Sequence, residues 1–255
     1  MSFAALHQPG NPLILFNIWD AGSARAVADP GAAALATGSA SVAGALGYAD
    51  GQEMPFDLLL RVVERIRTVS DLPLSVDFEA GFADAPAEIA ENAARLEALG
   101  VAGINLEDGI PPGRGIRPAS QQAALIAAIR ARNGLFINAR TDLFLQNPPE
   151  AHAGLIEEAI DRATLYAQNG ADGFFVPGLV DPDLIGAVCR ACPLPVNIMK
   201  SPAAPNTDRL AELGVARISF GPFPWLAAMA GIAQAFRAAT SRSAPTGLDL
   251  PDLGR

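Results

Sequence analysis

The sequence has few of the side chains that do chemistry unaided. Its 255 residues include two cysteines and two histidines. Cys189 and Cys192 form a C-x-x-C, a spacing that suits a redox pair when it opens a helix, where the dipole lowers the thiol pKa. Here it ends a helix-like stretch just before Pro193. The dipole there has the opposite sign, so packing is the expected role. Two thiols without a nearby imidazole make no zinc site. His7 lies in the N-terminal tail and His152 follows Asn147-Pro148-Pro149. Neither is placed as a base, which argues against a Ser-His-Asp hydrolase and against a His-ligated metal. No apolar run reaches the roughly 18 residues of a spanning helix. The first ten residues, MSFAALHQPG, lack the basic start and long apolar stretch of a signal peptide, so a cytoplasmic protein is expected. Basic residues number 18 against 27 acidic, a net charge of −9. That balance speaks against nucleic acid and anionic membranes as partners.

Apolar residues make up 50% of the chain, enough for a large core. They fall in eight short runs: Leu13–Asn17, Ala32–Ala36, Leu74–Glu79, Gly103–Glu107, Leu135–Arg140, Gly173–Val176, Leu194–Ile198 and Ala216–Phe220. Most are continuously apolar, as expected of parallel strands covered on both faces. Between them lie helical patterns at 56–69, 87–99 and 151–168. In the second of these, Ile89, Ala93, Leu96 and Leu99 recur at three and four, and Gly100 is the stop signal. Eight such units in about 240 residues fit a (β/α)8 TIM barrel. A doubly wound sheet is the alternative, but the first run is followed by IWDAGS and not by a G-x-G-x-x-G turn. The expected organisation is one barrel domain over 1–240 and a polar, Pro/Gly-rich tail over 241–255.

A barrel carries its chemistry at the C-terminal ends of its strands. Those ends are polar here: Asn17 and Asp20, Ser39 and Ser41, Asp50, Asp77 and Glu79, Glu107 and Asp108, Arg140 and Asp142, Asn197, Ser219. Asp77 and Glu79 are two apart, so on a strand they face the same way, and Glu107 is one strand over. Two such charges about 4 Å apart repel by about 4 kcal/mol at an effective dielectric of 20. Either they take up protons or a divalent cation neutralises them. An all-oxygen donor set favours Mg2+ or Mn2+, with some ligands acting through water. Arg140 is suited to gripping an anionic substrate in a two-pronged fork. A rim of salt bridges around Arg140 is the purely structural alternative.

Six ordered motifs carry a resemblance: GALGYADG at 44–51, SVDFEAGFAD at 75–84, GVAGINLEDG at 100–109, INARTDL at 137–143, GADGFFVPGL at 170–179 and LGVARISFG at 213–221. With them the chain, from about Leu13 to Phe236, resembles the isocitrate lyase/phosphoenolpyruvate mutase superfamily. The resemblance implies a (β/α)8 barrel whose last helix is swapped between subunits, in a homotetramer built as a dimer of swapped dimers. It implies Mg2+ (or Mn2+) and a small 2-oxo or 2-hydroxy carboxylate, handled through an enolate-like intermediate that metal and cation stabilise. By position, Asp77 would bind the metal directly, and Asp50, Glu79 and Glu107 would hold its waters. Ser39 and the backbone amides of Ala40 and Ser41 would bind the substrate carboxylate. Arg140 would grip its oxygens, and Asn197 would add a contact at a strand end. Asp50, Glu107 and Arg140 are then the candidate catalytic groups.

The chain also departs from the family pattern. Carbon–carbon lyases of the superfamily carry an acid-base cysteine in a loop after the fourth strand. Here that loop reads DGIPPGRGIRP over 108–118, without Cys, Lys or His. The gating Lys and the Asn of the mutase branch are missing too, and its Trp beside the carboxylate site is Thr37. Arg114 and Arg117 are the loop's only cations and are expected either to close over an acidic substrate tail or to stay in solvent. The expected function is a Mg2+-dependent lyase or decarboxylase of the isocitrate, 2-methylisocitrate and oxaloacetate class, working without the loop Cys. The alternatives are a phosphonate P–C bond enzyme and a 2-oxo-acid-binding protein with weak catalysis.

Overall fold

The computed structural model describes residues 2–111 and 115–240. Short parallel strands alternate with helices along the chain. The first half runs β1 (Leu13–Leu15), β2 (Asn17–Ile18), α1 (Ala21–Ala28), β3 (Leu35–Thr37), α2 (Ser39–Ala45), α3 (Phe56–Arg67), β4 (Leu74–Asp77), α4 (Pro86–Ala98), β5 (Gly103–Glu107) and α5 (Ala119–Arg130). The second half runs β6 (Phe136–Arg140), α6 (Ile156–Gln168), β7 (Gly173–Phe175), α7 (Pro182–Ala191), β8 (Val196–Met199), α8 (Thr207–Glu212), β9 (Arg217–Ser219) and α9 (Phe223–Thr240).

The first expected strand is split at Phe16, and the split closes the sheet. β1 pairs with β9, β2 pairs with β3, and each strand between pairs with its sequence neighbour. The result is a (β/α)8 barrel. Asn17 stitches the seam at its upper edge. Its Nδ2 donates to the Thr37 carbonyl at 2.8 Å, and its Oδ1 accepts from the Phe220 and Gly221 amides at 2.7 and 2.9 Å.

Side chains on the outer strand faces, such as Val76, Ile104 and Phe174, pack against the helices in the main apolar core. The barrel interior is layered differently. At its lower end Leu13, Leu15, Ala34, Ala36 and Phe136 form a separate small cluster that Phe3 closes off. His7 stacks on Phe136 with ring centroids 4.1 Å apart. Above them the interior turns polar, with Ser75, Asn105, Asn138, Asn197 and Arg217 all buried. The acids lie above that layer. Strand register aligns Asp77 with Asn105 and Glu107 with Arg140 and Phe175. Partners in parallel register face the same side, so these residues converge at one end of the barrel.

Several boundaries differ from the sequence expectation for local reasons. The second strand covers 35–37, not 32–36. The helix expected over 151–168 begins as a 3-10 segment, Pro149–Leu155, and becomes α6 only at Ile156. Pro148, Pro149 and Gly154 oppose α-helix there. Cys189 and Cys192 are unbonded at the end of α7, and burial pushes their thiols up to about 12 and about 11. Thiols held that far from ionisation are packing groups. The tail at 241–255 lies outside the described residues, as does Arg114. Among the described residues no helix is long and apolar enough to cross a membrane.

Candidate active site

A cleft at the upper end of the barrel is built from the strand ends and the loops that follow them. Its two lobes share Ser39, Asp50 and Arg140. Among the described residues five carboxylates line it, those of Asp50, Asp77, Glu79, Glu107 and Asp142, against the single cation Arg140.

Asp77 ends β4. Its Oδ2 accepts from the Ser39 amide at 3.1 Å, and its own amide donates to Thr37 Oγ1 at 3.0 Å. Its Oδ1 is buried with no partner among the described residues. A buried carboxylate oxygen without a donor is costly unless a cation meets it.

Glu79 reaches the site by a route other than the one expected. β4 stops at Asp77, and Glu79 takes φ 49°. Strand alternation therefore does not place it beside Asp77; a left-handed turn does. The three non-glycine residues with positive φ among the described ones are Gln52, Glu79 and Phe82, and they interlock. The Gln52 amide donates to Glu79 Oε2 at 2.7 Å, and Gln52 Oε1 accepts from the Phe82 amide. Backbone strain of this kind gathers at functional sites because packing elsewhere must hold it in place. Burial, then the charges of Asp77 and Asp50, push the Glu79 carboxyl up to about 8. Asp50 stands on the open rim. Partial enclosure and the Asp77 charge raise it, and the Ser39 hydroxyl opposes them.

Arg140 ends β6 between two acids. Its Nη1 lies 2.8 Å from Glu107 Oε2; its Nε and Nη2 donate to Asp142 Oδ1 and Oδ2 at 2.6 and 3.1 Å. Burial works against the guanidinium charge, but Glu107, Asp142 and Asp77 outweigh it and hold Arg140 cationic. Burial raises the Glu107 carboxyl, with Arg140 opposing. Behind this pair, buried Asp108 ties three elements together. Its Oδ1 accepts from the Asp142 amide at 3.0 Å, and its Oδ2 accepts from Arg162 Nη1 at 3.1 Å and from the Tyr166 hydroxyl at 2.9 Å.

Ser39 and Ala40 line the cleft beside Asp77. Ser41 is buried, and its amide donates to the Gly38 carbonyl at 3.1 Å. Asn197 is corrected by the structure. It lies beneath the floor, 1% exposed, and does not line the cleft. Its Oδ1 accepts from Asn138 Nδ2 at 3.0 Å, and its Nδ2 donates to Ser219 Oγ at 3.2 Å. It ends as support because β8 continues past it to Met199. Arg117 turns away from the cleft, its Nη1 donating to Gln122 Oε1 at 2.5 Å. Lining residues not singled out from sequence include Asn105, Leu145, Gln146, Phe175 and Met199. Asn105 is legible in hindsight, being two before Glu107 on one strand face.

The donor set fits a hard divalent cation, since it is all oxygen and includes the unpartnered Asp77 Oδ1. Among the described residues no three acidic, His or Cys groups stand close enough to hold an ion by themselves.

Comparison with known proteins identifies the family. The family model described as phosphoenolpyruvate phosphomutase matches residues 3–240. The uncharacterized protein Rv1998c of Mycobacterium tuberculosis is 38% identical over 239 residues, covering 93% of this chain and 88% of that protein. An oxaloacetate decarboxylase of Pseudomonas entomophila is 27% identical over 236 residues, covering 89% of this chain and 80% of its own. A crystal structure of a Burkholderia cenocepacia protein provisionally named a phosphonomutase superposes with a TM-score of 0.89 at 48% identity, covering 93% of this chain and 96% of that one. The chain belongs to the phosphoenolpyruvate phosphomutase family, within the isocitrate lyase/phosphoenolpyruvate mutase superfamily.

Proposed function

We propose that the chain is a Mg2+-dependent (or Mn2+-dependent) lyase or decarboxylase that breaks a carbon–carbon bond in a small 2-oxo or 2-hydroxy carboxylate. The reading rests above all on one arrangement: a single cation, Arg140, clamped between Glu107 and Asp142 and sharing a cleft with the unpartnered oxygen of Asp77. Asp77 would hold the metal directly, and Asp50, Glu79 and Glu107 would hold it through water. Bound there, the ion would polarise the 2-oxo group and lower the energy of negative charge developing on it. Ser39, with Ala40 and Ser41 behind it, would seat the substrate carboxylate. Arg140, fixed by its two acids, would meet the developing oxyanion without reorganising, which is what makes such a donor effective. Among the described residues no thiol or imidazole lines the cleft, so a proton would return to carbon from water, from Arg140 or from one of the raised carboxyls, Glu79 or Glu107.

The experiment is turnover, with Mg2+ and beside Asp77→Ala, of a panel of 2-oxo and 2-hydroxy acids that carry one carboxylate or, like oxaloacetate, isocitrate and 2-methylisocitrate, more than one. Metal-dependent turnover lost in the variant is expected. Turnover that persists without added metal, or in Asp77→Ala, refutes the assignment. The phosphonomutase name of the Burkholderia protein favours one second reading, P–C bond chemistry on the same seat; turnover of phosphonopyruvate in place of the carboxylic acids would establish it.

We further propose a cytoplasmic homotetramer, a dimer of dimers that exchange α9. Supporting this, α9 leaves its apolar side chains uncovered, with Ile232 63% and Phe236 68% exposed. Ile14 and Phe16, on the outer face of the first strand, are open as well, at 40% and 44%. A groove beside them is lined by Leu6, Leu13 and Val27.

A further inference from the structure

The cleft is divided by chemistry. Beyond Arg140 its wall is mainly apolar, with Leu145, Phe175, Pro177, Met199 and Pro222 from the ends of β6 through β9, and Asn17, Asn105 and Ser219 are the neutral polar side chains of the same lobe. Phe175 and Pro177 are buried, whereas Leu145 stands 46% exposed at the mouth. The acids and Arg140 occupy the other side, so a 2-oxo acid seated there turns its remaining substituent toward this wall.

A second carboxylate on that substituent would find no cation among the described residues of this wall. Among the described residues no cation but Arg140 lines the cleft. Arg140 is matched by Glu107 and Asp142. Arg217 is 1% exposed and does not line the cleft; its Nη2 donates to Ser75 Oγ and Asn105 Oδ1, and its Nε and Nη1 are buried below the floor without partners among the described residues. Lys200, the chain's only lysine, donates to the carbonyls of Ser201 and Ala204 at 3.0 and 3.1 Å. The cleft already holds five carboxylates. A further anion would lose its water against an apolar wall and gain repulsion in exchange.

We infer that this wall selects a substrate whose substituent is uncharged and apolar, so that the acid carries one carboxylate and not two. The inference rests on the seat proposed above and narrows the substrate class. It places reactions whose departing fragment is neutral ahead of those that expel a second carboxylate-bearing fragment. Apolar burial of one methylene is worth about a three- to fourfold gain in affinity, so a branched alkyl tail of five carbons gains at least about tenfold over a methyl group.

The test is calorimetric titration with Mg2+ of oxalate, pyruvate and a shape-matched pair. In that pair, 5-methyl-2-oxohexanoate has two methyl groups where 2-oxoglutarate has its second carboxylate oxygens. Tighter binding of 5-methyl-2-oxohexanoate, by at least about tenfold over both pyruvate and 2-oxoglutarate, is expected. Met199→Lys should narrow or reverse that ratio while still binding oxalate. Should that variant lose oxalate as well, Leu145→Lys at the exposed rim puts the same charge on the wall with less disturbance. Equal or tighter binding of 2-oxoglutarate, with oxalate still bound, overturns this inference alone. If Arg114→Ala then removes the advantage of 2-oxoglutarate, the loop cation meets an anionic tail. Failure of oxalate to bind with Mg2+ overturns the seat itself, and this inference with it.

Discussion

At the scale of single residues, the site is a problem in placing like charges. Glu79 is nearly sealed off, at 4% exposed, and its carboxyl is pushed up to about 8 by burial and by Asp77 and Asp50. In the metal-free protein it stays protonated after its unfolded counterpart has ionised near 4.5. The folded state then binds the extra proton, so its stability is expected to fall as pH rises from about 4.5 through 8. Urea unfolding of metal-free wild type and Glu79→Gln across that range checks the sign. Parallel curves would mean that Glu79 does not carry the proton. Arg140→Lys is expected to weaken oxalate binding by tenfold or more, because an ammonium cannot hold Glu107 and Asp142 and still meet a planar anion. Calorimetry reads it directly, and unchanged affinity would place the anion elsewhere. The types and positions of these residues were legible from sequence. The left-handed turn at Glu79 was not, since it depends on Gln52, 27 positions away, reaching back to its carboxylate.

At the scale of elements, the first strand and the β5 loop do the positioning. Asn17 holds the barrel seam with three hydrogen bonds to two different strand ends. Asn17→Ala is expected to cost about 2–3 kcal/mol in unfolding, since it leaves a buried carbonyl and two amides without partners. A loss under 0.5 kcal/mol would show that the seam closes without it. The buried Arg162–Asp108 pair fixes the Asp142 amide, and Asp142 orients Arg140. Arg162→Met is expected to destabilise by about 3–5 kcal/mol, the usual effect of leaving a buried charge unpaired. It should also weaken oxalate binding, although Arg162 does not line the cleft. Denaturation and calorimetry on the one variant test both. A stable variant with normal binding would detach this pair from the site.

At the scale of the molecule, the two ends of the barrel are opposed in character. The lower end is plugged by Phe3 and by His7, whose imidazole is pushed down to about 4 by burial and then by the Arg217 charge. Folded His7 stays neutral while the unfolded side chain protonates below about 6.5. Stability is therefore whole above pH 6.5 and is expected to drop by up to about 3 kcal/mol as pH falls to 4. His7→Gln should lack that drop in urea titrations, and a slope that persists would assign it to other groups. In the proposed assembly α9 is the exchanged element. Ile232→Asp with Phe236→Asp should reduce the mass seen by light scattering without changing the helical circular dichroism. The same mass in wild type and variant would count against the exchange of α9.

The sequence alone determined the alternation of strand and helix, the barrel class and the gathering of acids and Arg140 at strand ends. Those follow from apolar periodicity and from positions along the chain, which are local properties. Only the tertiary structure decided that Asn17 closes the seam and that Asn197 lies under the floor. It also decided that Arg117 turns away, and that Leu145, Phe175, Pro177, Met199 and Pro222 form one wall. Each of these depends on where a strand stops, and on which side chains from four or five distant segments meet once the barrel has closed. Periodicity along one segment carries no information about that meeting.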